Sequence, residues 1–369
     1  MKIVFISNYM NHHQRPFVES LAQNGCDITF VAMSQMSQER AMLGYSSELE
    51  FGRVIQFSKD TAREIHDLTM AADAVIFGSK PKKIFQARVQ SGKLTFNFSE
   101  RLFKKSALMA YSPVHQIKLR KTYLFDRENT PYLLAAGGYS AQDYRSLGYP
   151  KDKILKWGYF PPLSSTSLQQ LMESKQENTI VWVARFIKWK HPEHVAELGR
   201  YLQKHNVPFH IKMIGIGELL GPIMEMIDAY GLSEHIEAVG ALPPEQVRRE
   251  FEKAQIALLT SDRNEGWGAV VNEAMNSGCA FVGNRGIGAT TYLVSDGENG
   301  MTYRTKKEMF QKVEQLLRNP ERSKQMGENA YHTIVDTWNY EVATKRFIEF
   351  VRDQSVCYTD GPISDGLLK

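Results

Sequence analysis

The sequence predicts two parallel α/β domains of the Rossmann-like type, one after the other along the chain. Short apolar runs alternate with amphipathic helical patterns almost throughout, as expected where a covering helix follows each strand of a parallel sheet. The chain has 369 residues, which is enough for two such domains. A stretch crowded with prolines and hydroxyl residues lies between the two series.

The first domain is expected over residues 1–163. Its opening run, residues 1–7, is short and apolar, and it predicts a buried strand rather than a signal peptide or a membrane span. Strands are predicted at 2–7, 27–33, 53–57, 73–78, 93–98, 131–136 and 153–158. Helices are predicted at 14–24, 61–72, 100–110 and 139–147.

Residues 164–177 are the predicted linker, because prolines and hydroxyl residues around 159–167 are followed by a polar run. The second domain is expected over residues 178–337. Its predicted strands are 179–184, 209–214, 235–239, 255–260 and 279–283, and its predicted helices are 191–204, 218–230, 244–253, 268–277 and 306–317. Further helices are expected within 320–352, and the tail after Cys357 is expected to be frayed.

The composition is that of an ordinary soluble protein, with 43% hydrophobic and 23% charged residues. The three cysteines, Cys26, Cys279 and Cys357, are far apart and odd in number. They provide neither a disulfide framework nor metal-ligand spacing, and this favours a reducing cytoplasmic location.

Residues 80–127 form a basic segment. It carries twelve Lys or Arg residues and two acidic residues, whereas the whole chain has a net charge of +4. Apolar residues interleave with the cations, so the segment predicts peripheral contact with the inner face of the cell membrane. A solvated face over core residues is the alternative. No nucleic-acid partner is expected, because no known nucleic-acid module is visible.

Residues 261–278 carry most of the chemistry. They follow an apolar strand, and Gly266 and Gly268 allow the backbone to approach a ligand closely. A helix is expected to begin at this point, and its free amides and positive dipole end favour a phosphate. Glu265 in the loop and Glu273 in the helix can accept hydrogen bonds from sugar hydroxyls, although a tight turn and a solvated helix face would explain the same residues.

The order of motifs across residues 178–303 resembles the family-four glycosyltransferases, also called glycosyl transferases group 1, which have the GT-B fold. Glu265 and Glu273 have the Glu-x7-Glu spacing and lead into the family's EAM-x-SG run. Similar segments are Val183–Lys190, Ile214–Glu218, Gly240–Pro243 and Ser295–Gly300. The resemblance implies two Rossmann-like domains with an interdomain cleft, and a C-terminal segment, 338–369, whose helix packs back on the N-terminal domain.

The resemblance also implies roles for individual residues. Arg185 and Lys190 match the basic pair that grips the donor diphosphate, which two cations can offset; a surface ion pair is the alternative. Glu273 matches the residue that holds the nucleotide ribose, and Glu265 the acid near the donor sugar and a catalytic candidate. The whole predicted donor-binding set is Arg185, Lys190, Gly215, Gly217, Leu242, Gly266, Trp267, Gly268, Val270 and Glu273.

By the same resemblance, the enzyme retains anomeric configuration and needs no metal or other cofactor. The expected donor is a nucleotide-diphosphate sugar, with UDP preferred over GDP. The expected acceptor is a saccharide or lipid-linked saccharide in bacterial surface polysaccharide synthesis (capsule, exopolysaccharide or O-antigen). A GT-B epimerase or phosphorylase and a non-catalytic nucleotide-sugar-binding protein stay open. A dehydrogenase is disfavoured, because no glycine fingerprint follows the first strand.

The loop after the first strand carries Asn11, His12, His13 and Gln14. Many family members have a glycine-rich loop here, from which this chain departs. Because the loop joins a strand to a helix, these polar groups are expected to face the cleft. His12 or His13 is a catalytic candidate that binds substrate or aids proton transfer, and ordinary surface histidines are the alternative.

Glu100 and Arg101 follow another predicted strand and are expected to reach the same cleft. With Asn11 and Gln14 they form the predicted acceptor group. Glu100 stands among many cations, which predicts an ion pair with Arg101 or Lys104. A purely structural pair is the alternative.

Overall fold

The computed structural model describes residues 1–36, 48–104, 112–126 and 128–366. The chain divides into two compact units, the first made of residues 1–162 with 337–369 and the second of residues 163–336. Each unit contains one parallel sheet. Within the described residues, no helix has both the length and the apolar character that crossing a bilayer requires.

The first unit contains a seven-stranded sheet. Its strands are β1 (Lys2–Ser7), β2 (Asp27–Ala32), β3 (Arg53–Gln56), β4 (Ala74–Phe77), β5 (Thr95–Ser99), β6 (Tyr132–Ala136) and β7 (Ile154–Trp157). They lie in the order β3-β2-β1-β4-β5-β6-β7, and neighbouring strands are parallel. The strands predicted for the first half are therefore confirmed.

The helices that follow these strands are α1 (Arg15–Gln23), α2 (Ala62–Ala71), α3 (Lys82–Gln90), α4 (Pro113–Tyr123) and α5 (Gly138–Ser146). The sequence prediction missed two of them. The periodicity of α3 is obscured by Arg88, a charged residue on the buried side. Helix α4 has no buried residue, so it carries no apolar stripe to detect.

The helix predicted at 100–110 is wrong for residues 100–104, which are irregular. The backbone amides of Leu102 and Phe103 donate to Asp143 Oδ2 at 2.7 and 3.1 Å. Because Asp143 lies on α5, these two hydrogen bonds hold residues 102 and 103 against α5, and the segment does not form a helix of its own. Residues 105–110 lie outside the described part of the chain.

Arg88 reduces the number of surface cations in the basic segment. Its guanidinium is fully buried and donates to the backbone carbonyls of Thr69 at 2.9 Å, Ala72 at 3.0 Å and Leu94 at 2.9 Å. Burial lowers the pKa of Arg88 to about 10. Arg88 therefore joins α2, α3 and the start of β5. Two further members of the segment, 105 and 127, lie outside the described residues.

The second unit contains a six-stranded sheet. Its strands are β8 (Gln176–Val183), β9 (His210–Ile214), β10 (Ile236–Ala238), β11 (Ala254–Leu259), β12 (Ala280–Asn284) and β13 (Met301–Tyr303). They lie in the order β10-β9-β8-β11-β12-β13, and neighbouring strands are parallel. The sequence prediction missed β13, which has only three residues.

The helices of the second unit are α6 (Leu168–Ser174), α7 (Glu193–Lys204), α8 (Leu220–Ala229), α9 (Pro244–Lys253), α10 (Val270–Asn276), α11 (Thr290–Leu293), α12 (Lys306–Leu317) and α13 (Pro320–His332). Helix α6 lies inside the stretch predicted as a linker. It begins with a capping box, in which the Ser167 side chain accepts from the Gln170 amide and the Gln170 side chain accepts from the Ser167 amide.

A last helix, α14 (Tyr340–Arg352), belongs to the first unit. Its Phe347 ring contacts Phe17 of α1 and Phe96 of β5, with ring centroids 5.7 and 4.9 Å apart. The aromatic contacts bury the apolar face of α14 beside the seven-stranded sheet.

The expectation of a frayed tail after Cys357 is wrong for the described residues. Ser364 O accepts from the Lys156 amide at 2.8 Å, and the Gly366 amide donates to Ile154 O at 2.9 Å. These bonds run along β7, the edge strand of the sheet. The tail therefore satisfies backbone groups that would otherwise be exposed at a sheet edge.

Candidate functional site

The predicted donor residues gather at one edge of the second sheet. Because its strands are parallel, the loops after their carboxyl ends share that edge. The relevant loops are 184–191 after β8, 215–219 after β9, 239–243 after β10 and 260–269 after β11. These four strands are neighbours in the sheet, so the loops form one continuous border, which we call the carboxyl edge.

The carboxyl edge contains an ion pair between Lys190 Nζ and Glu265 Oε2. The two side chains are 12% and 13% exposed. The Lys190 ammonium also lies 4.4 Å from the ring centroid of Trp189, a cation–π distance. Each charge is shielded from water and depends on the other, so removing one partner leaves the second unbalanced. Lys190, predicted to bind the donor diphosphate, and Glu265, predicted to lie near the donor sugar, therefore bind each other directly.

Several bonds fasten the loop of Lys190 to the loop of Glu265. The Asp262 amide donates to Trp189 O at 3.0 Å across the two loops, and the Glu265 amide donates to Asp262 O at 3.0 Å within its own loop. The His191 ring meets Asp262 through Nε2 at 3.3 Å from Oδ2. The ion pair is therefore held by backbone and side-chain contacts on both sides, and its geometry does not rest on two free side chains.

Arg185 is exposed and lies beside the glycine turn after β9. Gly215 and Gly217 have φ of +141° and +155°, and a Cβ on either would overlap the backbone of Ala184 or Phe186. The Phe186 amide donates to Ile216 O at 2.9 Å, and this bond holds the glycine turn close to the segment after β8. These contacts explain why both positions require glycine. A direct ligand contact by Gly215 or Gly217 stays a prediction.

Trp267 is a core residue. It is 1% exposed, and its indole Nε1 donates to Asn272 Oδ1 at 2.8 Å. Gly268 has φ of +88°, and a Cβ there would lie 2.9 Å from Ile287 Cγ2. The Gly266–Trp267–Gly268 turn is therefore anchored from below by the indole, and any ligand contact of Trp267 must come from its backbone. Gly266 itself is buried.

Helix α10 turns a partly exposed face outward. Val270 and Glu273 are partly buried and stand three residues apart, so they share a face. Val271, Ala274 and Met275 are fully buried on the other side. Leu242 is partly buried in the turn after β10, which meets the glycine turn through the bond from the Gly215 amide to Gly240 O at 2.8 Å.

In the first unit, Asn11 and Gln14 shape the loop after β1. Asn11 Oδ1 accepts from the backbone amides of His13 at 3.0 Å and Gln14 at 3.1 Å. Asn11 Nδ2 donates to Gln14 Oε1 at 3.0 Å, and Gln14 is 5% exposed. These side chains therefore act as an Asx-type cap ahead of α1, which the sequence prediction of acceptor contact did not foresee.

His12 and His13 are carried by that capped turn. Their ring centroids lie 3.5 Å apart, and both residues are partly buried. His13 O accepts from the Phe160 amide at 3.0 Å, which fixes the backbone of the turn. The turn thus presents two adjacent imidazoles, and their part in catalysis stays a prediction.

Glu100 forms the predicted ion pair with Lys104. It also accepts from the Tyr159 hydroxyl at 3.2 Å, and burial, followed by the Glu100 charge, raises the pKa of Tyr159. Arg101 is 9% exposed and its guanidinium lies 4.5 Å from the ring centroid of Tyr139. The sequence reasoning did not single out Tyr159, because it is 59 residues from Glu100.

His191 and Asp262 are further residues that the sequence analysis missed. Each shares a loop with a predicted residue, since His191 follows Lys190 and Asp262 precedes Glu265 by three positions. Hydrogen bonds to Glu193 and Asp262 raise the pKa of His191. A protonated His191 can donate to both carboxylates and so join the two loops.

The same region holds a group of metal-ligand types. Ligand atoms of His191, Glu193 and His194 lie within 4.8 Å of one another. However, His191 Nδ1 is 2.8 Å from Glu193 Oε1, and the two imidazoles stack with centroids 4.8 Å apart and planes at 8°. The lone pairs of nearly parallel rings do not converge on one point, so the geometry favours a hydrogen-bonded cluster over a metal site.

Comparison with known families matches residues 165–333 to the family described as glycosyl transferases group 1. Among curated proteins, the trehalose synthase of Pyrococcus horikoshii is 24% identical over 202 residues. That match covers 51% of this chain and 48% of the relative, so the chain spans about half the length of that protein.

Solved structures of similar fold cover nearly the whole chain. The crystal structure of Anabaena Alr3699/HepE in complex with UDP and glucose has a TM-score of 0.71 at 13% identity and covers 96% of this chain and 100% of that chain. Sucrose-phosphate synthase from Thermosynechococcus elongatus has a TM-score of 0.65 at 14% identity, and the match covers 96% of this chain and 99% of that chain. At such identities the likeness establishes the fold alone, and the predicted α/β GT-B class is confirmed.

Proposed function

We propose that this chain, whose residues 165–333 match the glycosyl transferases group 1 family, moves a sugar from a UDP-sugar to a saccharide or lipid-linked saccharide acceptor. The proposed transfer retains anomeric configuration and uses no metal. Its proposed place is the cytoplasmic synthesis of a bacterial surface polysaccharide.

The observation that carries this proposal is the cationic pair at the carboxyl edge. Arg185 is exposed, and none of the described residues forms a hydrogen bond or ion pair with its guanidinium. Lys190 lies five positions later on the same segment. Two cations placed where the loops of a parallel sheet meet offer the positive charge that a diphosphate needs when no metal neutralises it.

We infer that the donor changes the partner of Lys190. In the ion pair, Glu265 holds the ammonium. A diphosphate carries more negative charge than one carboxylate, so it competes for Lys190. Glu265 would then accept hydrogen bonds from donor hydroxyls, and the ammonium would stabilise the charge that develops on the leaving phosphate.

UDP is the nucleotide we favour. The Alr3699/HepE structures contain UDP or UDP-glucose, and the similar apo structure of WaaB is described as a lipopolysaccharide outer core galactosyltransferase. Glu273, on the outward face of α10, is the proposed partner of the ribose hydroxyls. A carboxylate can accept bonds from two vicinal hydroxyls at once.

The proposed reaction breaks the bond between the anomeric carbon and the diphosphate oxygen and forms a bond to the acceptor hydroxyl oxygen on the same face. The acceptor proton goes to the departing phosphate oxygen, so UDP leaves and no oxidant or reductant is required. His12 or His13 is proposed to orient the acceptor hydroxyl. A lipid-linked acceptor would bring the basic segment, 80–127, to the membrane surface.

A nucleotide screen by thermal shift tests the proposal. UDP is expected to raise the melting temperature more than GDP or ADP, because a ligand that binds only the folded state stabilises it by mass action. UDP release from UDP-sugars is then measured with and without saccharide acceptors. Donor consumption without acceptor would indicate an epimerase, and UDP binding without turnover on any acceptor would indicate a non-catalytic protein.

A further inference from the structure

Helix α4 exposes more apolar surface than its surroundings explain. None of its residues is buried. Val114 is 75% exposed and Ile117 is 55% exposed, and these are the two most exposed large apolar side chains among the described residues. Exposed apolar residues that neighbour each other on one helix often mark a surface that a partner covers, whereas single scattered ones are ordinary.

The exposed residues share one face of the helix. Val114, Ile117, Lys118 and Lys121 stand at positions i, i+3, i+4 and i+7, which is the spacing of one helical face. The opposite side is fixed to the first unit by Tyr123, whose ring lies 5.2 Å from that of Tyr144 between centroids. The apolar and cationic face therefore points away from the unit.

The side-chain charges of helix α4 have one sign. Helix α4 carries Lys118, Arg120 and Lys121 and no acidic residue. None of the three side chains forms an ion pair with another described residue. Lys82 and Lys83 are exposed at the start of α3, and that helix adjoins the end of α4 through the Phe85 and Phe125 rings, 6.0 Å apart between centroids. The surface therefore favours an anionic partner.

We propose that the outward face of α4 docks on an anionic lipid bilayer. Val114 and Ile117 enter the headgroup layer, while Lys118 and Lys121 bind lipid phosphates. Apolar residues flanked by cations are the pattern that such surfaces bind. A second copy of the chain fits less well, because a symmetric contact would bring these cations against each other. This inference rests on the lipid-linked acceptor of the proposed function and names the surface and the lipid that meet, and its test does not depend on the donor site.

Co-sedimentation of the full chain with lipid vesicles tests the docking. Vesicles of phosphatidylcholine mixed with phosphatidylglycerol are compared with vesicles of phosphatidylcholine alone. The chain is expected to bind the anionic vesicles and to dissociate as salt is raised, since salt screens exposed charges. Failure to bind anionic vesicles at low salt overturns the proposal.

Two test variants, each with a matched control, distinguish binding by this face from attraction by net charge or by any exposed apolar residue. The Val114→Ser/Ile117→Ser double variant is expected to bind about tenfold more weakly, whereas Met224→Ser, at a 48% exposed residue of α8, keeps its binding. Lys118→Glu/Lys121→Glu is expected to lose about 20-fold or more, whereas Lys307→Glu/Lys324→Glu, with the same charge change at exposed residues of α12 and α13, keeps most of it.

Equal loss in the test and control variants overturns the proposal in favour of nonspecific attraction. Sedimentation velocity provides the other contrary outcome, in which Val114→Ser/Ile117→Ser turns a dimer into a monomer and vesicle binding is unchanged. UDP affinity is measured on every variant. It is expected to be unchanged, so failure of the docking and failure of the proposed transfer remain distinguishable.

Discussion

The loop after β1 and the loop after β11 both join a buried strand to a helix, yet they use their polar side chains differently. Asn11 and Gln14 bond to each other and to their own backbone. Glu265 instead reaches Lys190, 75 positions away on another loop. Polar groups engaged in local caps stabilise their own turn, whereas a long-range ion pair presents charges that a ligand can redistribute. A polar residue after a strand can therefore stabilise its own turn, and acceptor contact by Asn11 and Gln14 stays a prediction.

The largest expected effect comes from breaking the long-range pair. Lys190→Ala is expected to lower kcat/KM about 10³-fold, because it removes the charge proposed to stabilise the leaving diphosphate and leaves Glu265 unpaired. Steady-state UDP release measures the effect. Lys307→Ala, at an exposed lysine of α12, is the control. Turnover within a few-fold of wild type would contradict the role of Lys190.

Glu273 tests whether the carboxyl edge binds the nucleotide itself. Glu273→Ala is expected to weaken UDP binding by about 10- to 100-fold, the size of a hydrogen bond to a charged group. Isothermal titration calorimetry with UDP measures it. Glu225→Ala changes an exposed glutamate of α8 in the same unit and should leave UDP affinity unchanged. Equal affinity in both variants would remove Glu273 from the site.

Asn11 tests the opposite side of the comparison. Asn11→Ala removes the oxygen that accepts two backbone amides and is expected to destabilise the chain by about 1 kcal/mol in urea unfolding, as loss of a cap does. Asn11→Asp keeps the acceptor oxygen and should recover most of this. UDP affinity should stay constant in both variants. A large loss of UDP affinity without loss of stability would contradict this expectation and would show that Asn11 contributes to nucleotide binding.

His191 gives the smallest expected effect, a change in how stability depends on pH. Its folded-state pKa lies above the ordinary value of 6.5, so its stabilising contribution is complete below pH 6.5 and disappears as the pH rises through the folded-state pKa. The stability difference between wild type and His191→Gln is expected to be at most about 1 kcal/mol, present at low pH and absent at high pH.

Urea unfolding across the pH range measures the His191 effect. Asp262→Asn removes one of the two carboxylates that hold the imidazole and should reduce the same pH dependence. A stability difference that is constant with pH would mean that His191 acts through packing and that its charge does not join the loops.

Much of the fold was predictable, for identifiable reasons. Strands such as β1 and β11 are continuous apolar runs, and helices such as α7 carry a stripe, Val195, Leu198 and Leu202, that is fully buried. Helix α4 was not predicted because none of its residues is buried, so its sequence carries no apolar stripe. The tail after 357 escaped because its order comes from backbone bonds to β7, which leave no mark in side-chain patterning.

The candidate site divides in the same way. Gly215 and Gly217 were recognisable because residues 214–218 resemble the family's glycine turn, and the structure adds the physical reason, since the backbone of another loop lies too close for a Cβ. The burial of Trp267 was not, since its partners Asn272 and Tyr292 are brought to it only when the chain has folded. Tryptophan in a glycine-flanked loop suits either a ligand contact or an anchor, and only its surroundings decide between them.

The sequence by itself determined the succession of strands and helices and the order of donor motifs from 178 to 303, because local periodicity and backbone freedom are properties of neighbouring residues. Only the tertiary structure decided that Lys190 meets Glu265, that His191 joins their loops through Asp262, and that Asn11 and Gln14 serve their own turn. Those outcomes depend on which side chains the parallel sheets bring within hydrogen-bond reach, and such distances are set only when the chain has folded.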